Sequence, residues 1–332
     1  MCMSHSRVLA GGNYEKRGRQ SKEEPFCFPS LSGVYFSTMA SIPPPISCRA
    51  YAKINLGLRV TGERTDGYHE ICTVFHHIEL FDDIVLHASD AITVHTTDPA
   101  VPSGEANICH AAALMLRERL DLKTGVRPGV HIEITKRIPV SAGLGGGSAD
   151  AAAVLRSLPA LWGKSLPEDD LRALALGLGS DVPYFMGDDS ALGKGRGEIL
   201  EYFRLDVPFA ILLCTPPVQV STQWAYSRIV PRPPERLDQE DLRSVLLRGI
   251  SDPLLLCEHL VNDFESPVFL EHPLVRSVKE SMMRDGALFA SMSGSGSSVY
   301  GFFHDTDAAR RAAAPLESLN YRTFITPPHF RV

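Results

Sequence analysis

Four glycines in five positions, Gly143 and Gly145-Gly146-Gly147, stand between an alternating apolar segment and an alanine-rich one. The stretch runs Lys136-Arg137-Ile138-Pro139-Val140-Ser141-Ala142-Gly143-Leu144-Gly145-Gly146-Gly147-Ser148 and passes straight into a helical pattern over 149–158. Strand, glycine loop, helix is the order this predicts. A loop of that kind collects unpaired backbone N–H groups at the positive end of a helix dipole, which makes an anion site without any lysine. Phosphate is the expected ligand. The segment is not a Walker A loop, because Ala149 and Asp150 stand where the Lys-Ser/Thr pair belongs. It is a poor dinucleotide fingerprint too, since Ser148 replaces the third glycine and the preceding segments read as antiparallel strands. One or two glycines suffice for a tight turn, so four imply a close approach to the backbone.

The chain has 332 residues, 44% hydrophobic and 22% charged, enough for one large domain or two modest ones. Its net charge of −6 offers no positive field for nucleic acid or an anionic membrane. Seven cysteines occur singly with no CxxC pair, which favours free thiols in a reducing compartment. No apolar run approaches the roughly 20 residues that span a bilayer, and no secretory leader is evident. A cytoplasmic protein is expected. The first 48 residues lack a sustained period and read as a disordered extension preceding the fold, with Met39 an alternative start; Glu15, Glu23 and Glu24 argue against a transit peptide.

Residues 50–60 alternate as a half-buried strand, with Ala52, Ile54, Leu56, Leu58 and Val60 on one face and Lys53 and Asn55 on the other. Strands are expected over 71–80, 84–88, 92–96 and 131–135, and a helix over 107–120. Pro159 should end or kink the helix that follows the glycine loop. A further helix over 168–178 leaves Asp181 in the connection Ser180-Asp181-Val182-Pro183. Beyond Pro208 a second unit opens with a strand over 209–214. Helices are then expected over 222–229, 241–247, 254–263, 274–284 and 305–316, with strands over 288–291, 299–303 and 321–326. Ser293-Gly294-Ser295-Gly296-Ser297-Ser298 forms a second glycine loop before one of these strands. Two α+β lobes, 49–205 and 206–332, account for the order. Lys53 and Asp181 are unremarkable alone, a strand charge and a turn former. The segment 194–197 is open between a hairpin turn and a wall of the cleft. No histidine or cysteine spacing points to a protein-held metal.

Together the segments resemble the GHMP kinase superfamily. Residues 139–149 are similar to its ATP-binding signature, and Ala52-Lys53-Ile54-Asn55-Leu56, Asp66-Gly67-Tyr68-His69-Glu70, Ser180-Asp181-Val182-Pro183 and Met292-Ser293-Gly294-Ser295-Gly296 resemble the branch that phosphorylates the 2-hydroxyl of cytidine-diphosphate-capped methylerythritol in the non-mevalonate isoprenoid pathway. The resemblance covers about 49–330. It implies an α+β two-domain fold, with a ribosomal-protein-like N-terminal and a ferredoxin-like C-terminal domain and ATP between them. It also implies a small-molecule partner, a need for Mg²⁺, and a monomer or homodimer.

By position, Lys53 and Asp181 match the family's catalytic pair. Pro139, Val140, Ser141, Ala142, Gly143, Leu144, Gly145, Gly146, Gly147, Ser148 and Ala149 match the nucleotide loop, with Ser148 a candidate contact for Mg²⁺. Asn55, Tyr68, His69, Thr222 and Tyr226 match the substrate side, where His69 would read the cytosine and Tyr226 offer it a stacking face. Asp181 would accept the hydroxyl proton, with Lys53 beside it stabilising the transferred phosphoryl. The sequence departs from the family at Ser141-Ala142, where two glycines are common, and at Ala149-Asp150, where a second serine is common. Both are expected to retune nucleotide affinity from tolerant loop positions. A related kinase acting on homoserine or a sugar is the nearest rival. A non-catalytic nucleotide- or RNA-binding module is the rival from another class.

Overall fold

The computed structural model describes residues 43–120, 128–231 and 241–332, and these described residues form one compact unit. Most of the expected extension lies outside the described residues, but Ile46 already opens the first strand. β1 (Ile46–Glu63) and β2 (His69–Ser89) form a long antiparallel pair, so the two strands expected over 71–88 are one. β1 follows one edge of β2, while β4 (Gly129–Thr135) and β5 (Ser190–Lys194) divide the other. β3 (Ile92–Thr96) pairs in parallel with β4, and β6 (Ile199–Phe203) closes the six-stranded sheet beyond β5.

β1 is not half-buried as its alternation suggests. Gly57 sits in a bulge with φ of 76°, and a Cβ there would meet Leu260 Cδ1 at 2.8 Å. One extra residue reverses the faces of a strand. Leu58 and Val60 therefore leave the apolar cluster of Ala52, Ile54 and Leu56 and join another, on the side of Lys53 and Asn55. Both polar residues are consequently buried.

α1 (Ile108–Arg119) starts on Asn107, whose side chain accepts from the Cys109 N–H at 2.8 Å. α2 (Gly146–Leu161) packs Ala149, Ala151, Ala152 and Ala153 into the core, small residues that allow a close approach to the sheet. It continues two residues past Pro159, because a proline in the last turn forfeits only one hydrogen bond before the helix stops. α3 (Glu168–Leu178) follows, then a short 3-10 turn over Val182–Met186.

A second sheet has the antiparallel order β10-β7-β9-β8, built from β7 (Ala210–Thr215), β8 (Phe289–Met292), β9 (Val299–Phe303) and β10 (Arg322–Thr326). Its helices are α4 (Thr222–Ser227), α5 (Leu242–Gly249), α6 (Pro253–His259), α7 (Glu265–Glu271), α8 (Pro273–Arg284) and α9 (Thr306–Ser318). α6 stops four residues before the expected end, and α7, β5 and β6 were not expected. Among the described residues, no helix is long and apolar enough to cross a membrane.

Candidate active site

Two concavities meet at Gly143 and Gly145. The larger, about 420 Å³, has residues 138–148 as one wall and residues of the β3–α1 connection as the other. Pro139, Val140, Ser141, Ala142, Gly143, Leu144, Gly145, Gly146, Gly147 and Ser148 all line it. Ala149 does not, being buried, with its N–H bonded to the Gly145 carbonyl at 2.9 Å. That bond is the first of α2, so the N–H groups of Gly146, Gly147 and Ser148 precede the helical ladder and are available to an anion. Gly143 meets a different need. A Cβ there would lie 2.3 Å from the Ser293 carbonyl oxygen, so the second glycine loop is what approaches the first this closely.

Ser293 ties the two loops together. Its hydroxyl donates to the Gly143 carbonyl at 3.0 Å and accepts from the Asn55 N–H at 3.3 Å, while the Ser298 N–H reaches the Ala142 carbonyl at 3.3 Å. From below, Asn262 Nδ2 donates to the carbonyls of Met292 and Gly294 at 2.7 and 2.9 Å. The loop over 293–298 is thus a structural clamp as well as a wall of the second cavity.

That second cavity, about 170 Å³, gathers Lys53, Asn55, Asp181, Arg196, Thr222 and Tyr226 around an apolar base that includes Leu58 and Phe75. Lys53 Nζ lies 3.7 Å from Asp181 Oδ2 and donates to Asn55 Oδ1 at 2.6 Å. Asn55 Nδ2 in turn donates to Thr73 Oγ1 at 3.0 Å, which fixes the amide's orientation. Burial lowers the Lys53 pKa, and Asp181 opposes that shift. Asp181 caps nothing with its side chain; its carbonyl accepts the Tyr184 N–H, leaving the carboxylate facing the cleft and 37% exposed. A carboxylate beside an ammonium, next to an anion groove, can take a proton from a hydroxyl and steady incoming negative charge.

Thr222 Oγ1 and Ser295 Oγ stand 3.1 Å apart, joining α4 to the second glycine loop. Tyr226 packs on Phe264, and burial, with Asp181 adding to it, pushes its hydroxyl up to about 12. His69 and Tyr68 do not line the cavity. His69 lies behind Tyr226 with ring centroids 4.9 Å apart, and Tyr68 is 54% exposed over the Arg196 guanidinium. The segment 194–197 proves to be a hairpin turn whose Arg196 also reaches the cavity.

The sequence reading missed a cluster under the nucleotide groove. Lys136 Nζ donates to Asp82 Oδ2 at 2.5 Å and to Asp150 Oδ2 at 2.7 Å, and Asp82 Oδ1 accepts the N–H groups of Arg137 and Ile138. All three side chains are buried. Asp150 is therefore a buried, paired residue at the floor of the groove rather than a tolerant loop substitution. Two acids in the otherwise apolar Phe81-Asp82-Asp83-Ile84 run were the available signal. Ser141 is exposed with φ of 54°, a conformation glycine adopts freely and serine bears at some cost.

The GHMP kinases N terminal domain model matches residues 107–188, and the GHMP kinases C terminal model matches 245–322. A 4-diphosphocytidyl-2-C-methyl-D-erythritol kinase of Chlorobium phaeobacteroides (strain BS1) is 42% identical over 288 residues, covering 86% of this chain and 98% of its own. That of Salinibacter ruber is 38% identical over 289 residues, covering 85% and 99%. The crystal structure of a 4-(cytidine 5'-diphospho)-2C-methyl-D-erythritol kinase superposes with a TM-score of 0.70 at 33% identity, covering 86% of this chain and all of the other. A homoserine kinase from Cytophaga hutchinsonii shares the fold, with a TM-score of 0.67 at 21% identity over 90% of this chain and 98% of its own.

Proposed function

This chain belongs to the GHMP kinases, in the 4-diphosphocytidyl-2-C-methyl-D-erythritol kinase family, and from that premise we propose that Asp181 and Lys53 carry its chemistry. It is a phosphotransferase of isoprenoid precursor biosynthesis that moves the γ-phosphoryl of ATP to the 2-hydroxyl of 4-diphosphocytidyl-2-C-methyl-D-erythritol, giving the 2-phosphate and ADP. The observation that carries the residue assignment is the 3.7 Å Lys53–Asp181 pair in the second cavity, which meets the glycine groove at Gly143 and Gly145.

In this reading the N–H groups of Gly146, Gly147 and Ser148 hold the phosphates at the start of α2. Phosphoryl transfer runs through a loose transition state, so the protein mainly positions the acceptor and neutralises charge. Asp181 accepts the hydroxyl proton on a carboxylate oxygen. Lys53, held by Asn55, faces the charge developing between acceptor and donor. Mg²⁺ would supply charge neutralisation across the β- and γ-phosphates. Among the described residues no cluster of three His, Cys, Asp or Glu could hold an ion by itself, and the donors suit a cation carried mainly by the nucleotide, with the Ser148 hydroxyl as its protein oxygen. Asn55, Thr222 and Tyr226 would embrace the acceptor, with the cytosine against Tyr226 and His69 and Tyr68 behind it.

We assign the two lobes to 49–205 and 206–332, and the enzyme to the cytoplasm as a monomer or homodimer. ADP release by the purified chain with ATP and Mg²⁺ tests the function. It should depend on the cytidine-capped acceptor and collapse in Asp181→Asn. A folded, ATP-binding chain that ignores this acceptor would sink the reading and bring homoserine and sugar acceptors forward.

A further inference from the structure

We propose that Arg196 reads the diphosphate of the acceptor substrate and so sets the preference for a nucleotide-capped polyol. This rests on the acceptor assigned above and names a residue for the part of it between base and polyol.

Arg196 sits at the tip of the β5–β6 hairpin, flanked by Gly195 and Gly197 at φ of 71° and 108°. The Gly197 N–H closes the turn on the Lys194 carbonyl at 3.0 Å, and the Ile71 N–H docks the tip onto β2 through the Gly195 carbonyl at 2.7 Å. The Arg196 N–H is held by Glu198 Oε2 at 2.5 Å. The backbone beneath the guanidinium is therefore fixed, and the group itself lies 4.8 Å from the centre of the Tyr68 ring. A cation held over a ring face makes that contact without using its N–H donors.

Those donors are under-used. Glu198 Oε1 is 3.6 Å from Arg196 Nε, beyond hydrogen-bond reach, and Nε is buried with no hydrogen-bond partner. Neighbouring arginines differ: Arg64 reaches Glu70 at 2.5 Å and Arg243 reaches Glu201 at 2.6 Å. A stacked guanidinium with an unsatisfied buried donor beside a cavity matches a bidentate anion that the ligand brings.

The position fits the substrate's own order. Its polyol must reach Asp181 and its base lies toward Tyr226 and His69, so the diphosphate falls within the same cavity. Of the residues lining that cavity, Lys53 and Arg196 are the two cations. Lys53 is engaged by Asn55 and Asp181 at the reacting end. Arg196, carried beside Tyr68 next in sequence to His69 and paired with Glu198 only at 3.6 Å through Nε, has its terminal N–H groups left for the bridging phosphates.

The test is calorimetric titration with cytidine and with cytidine diphosphate, the glycine groove being saturated with ADP, on the full chain and on Arg196→Gln and Arg196→Lys. The native chain should prefer the diphosphate by about tenfold or more, a charge-assisted pair being worth that much. Arg196→Gln should abolish the preference while leaving cytidine and ADP affinities unchanged, and Arg196→Lys should restore part of it. In turnover, the same loss should raise the acceptor KM with kcat little altered. An undiminished preference in a folded Arg196→Gln chain overturns the proposal alone. A native chain that binds neither ligand overturns the acceptor assignment beneath it.

Discussion

Two lysine–carboxylate clusters flank the same glycine loop and are built to opposite ends. Lys53 meets one aspartate at 3.7 Å whose side chain is 37% exposed, and burial pulls its pKa down against the pull of that neighbour. Lys136 is clamped by two, at 2.5 and 2.7 Å, in a cluster whose side chains are at most 4% exposed. Burial would lower its pKa as well, but Asp150 and Asp82 more than reverse the effect. The sealed cluster ties β2, the exit of β4 and the first turn of α2 together. The open pair leaves a carboxylate oxygen facing a cavity. Identical residue types thus hold the loop on one side and stand ready beside it on the other.

The contrast is sharpest in a variant that removes charge from the open pair. Asp181→Asn should lower kcat by a factor of about 10² to 10⁴, the usual contribution of a positioned general base. Its cost in stability should stay below that of opening the sealed cluster, since the carboxylate caps nothing and is partly solvated, and buried Lys53 loses its counter-charge but keeps its bond to Asn55. Steady-state kinetics beside urea unfolding read both. A large loss of stability would make the open pair structural and end the comparison.

The sealed cluster should fail the other way. Lys136→Met takes the counter-charge from buried Asp82 and the donor from Asp150, and should cost about 3–5 kcal/mol. Lys136→Met combined with Asp150→Leu should recover much of that, because Asp82 keeps the N–H groups of Arg137 and Ile138. Urea midpoints of the single and double variants decide. A double variant no better than the single would mean that Asp150 is not paired chiefly with Lys136.

Which parts of this were legible follows from how local each signal is. The glycine loop was legible in its own residues, whereas Lys53, Asn55 and Asp181 stood out only through the family resemblance of their segments; the structure gathers all of them around two joined concavities. The two faces of β1 were misread because a single-residue bulge at Gly57 leaves no trace in an alternating pattern. β5 and β6 were missed because Ser190–Lys194 and Ile199–Phe203 are only five residues each; pairing of β5 with β2, and of β6 with β5, supplies what propensity does not. The Lys136 cluster joins residues 54 and 14 positions apart along the chain, and only tertiary packing reveals that partnership.

Acidity separates the sealed cluster from the rest of the core. Burial pushes Asp150 up to about 8, with Lys136 opposing it, and its Oδ1 is buried without a partner. The raised value favours the neutral form of Asp150 beside the Lys136–Asp82 pair. Because the native pKa is raised above the ordinary 3.8, the native chain holds a proton that the unfolded chain has released between those values. The contribution of Asp150 is therefore full below 3.8 and is lost steadily as pH rises to about 8. His76 and His77 act with the opposite sign. Burial lowers them to about 3 and about 4 from 6.5, so below 6.5 the unfolded chain takes up protons that the native chain refuses. Their stability contribution is present above 6.5 and drains as pH falls, by about 1.4 kcal/mol per histidine per pH unit at its steepest. Two histidines outweigh one aspartate on the acid side and are silent on the alkaline side, so these groups place the stability maximum near pH 6.5. Urea midpoints between pH 5 and 8.5 should show the alkaline slope vanish in Asp150→Asn and the acid slope weaken in His76→Gln. An alkaline slope that survives Asp150→Asn would mean that the sealed cluster carries no extra proton, and the difference between the two lysine sites would then rest on packing alone.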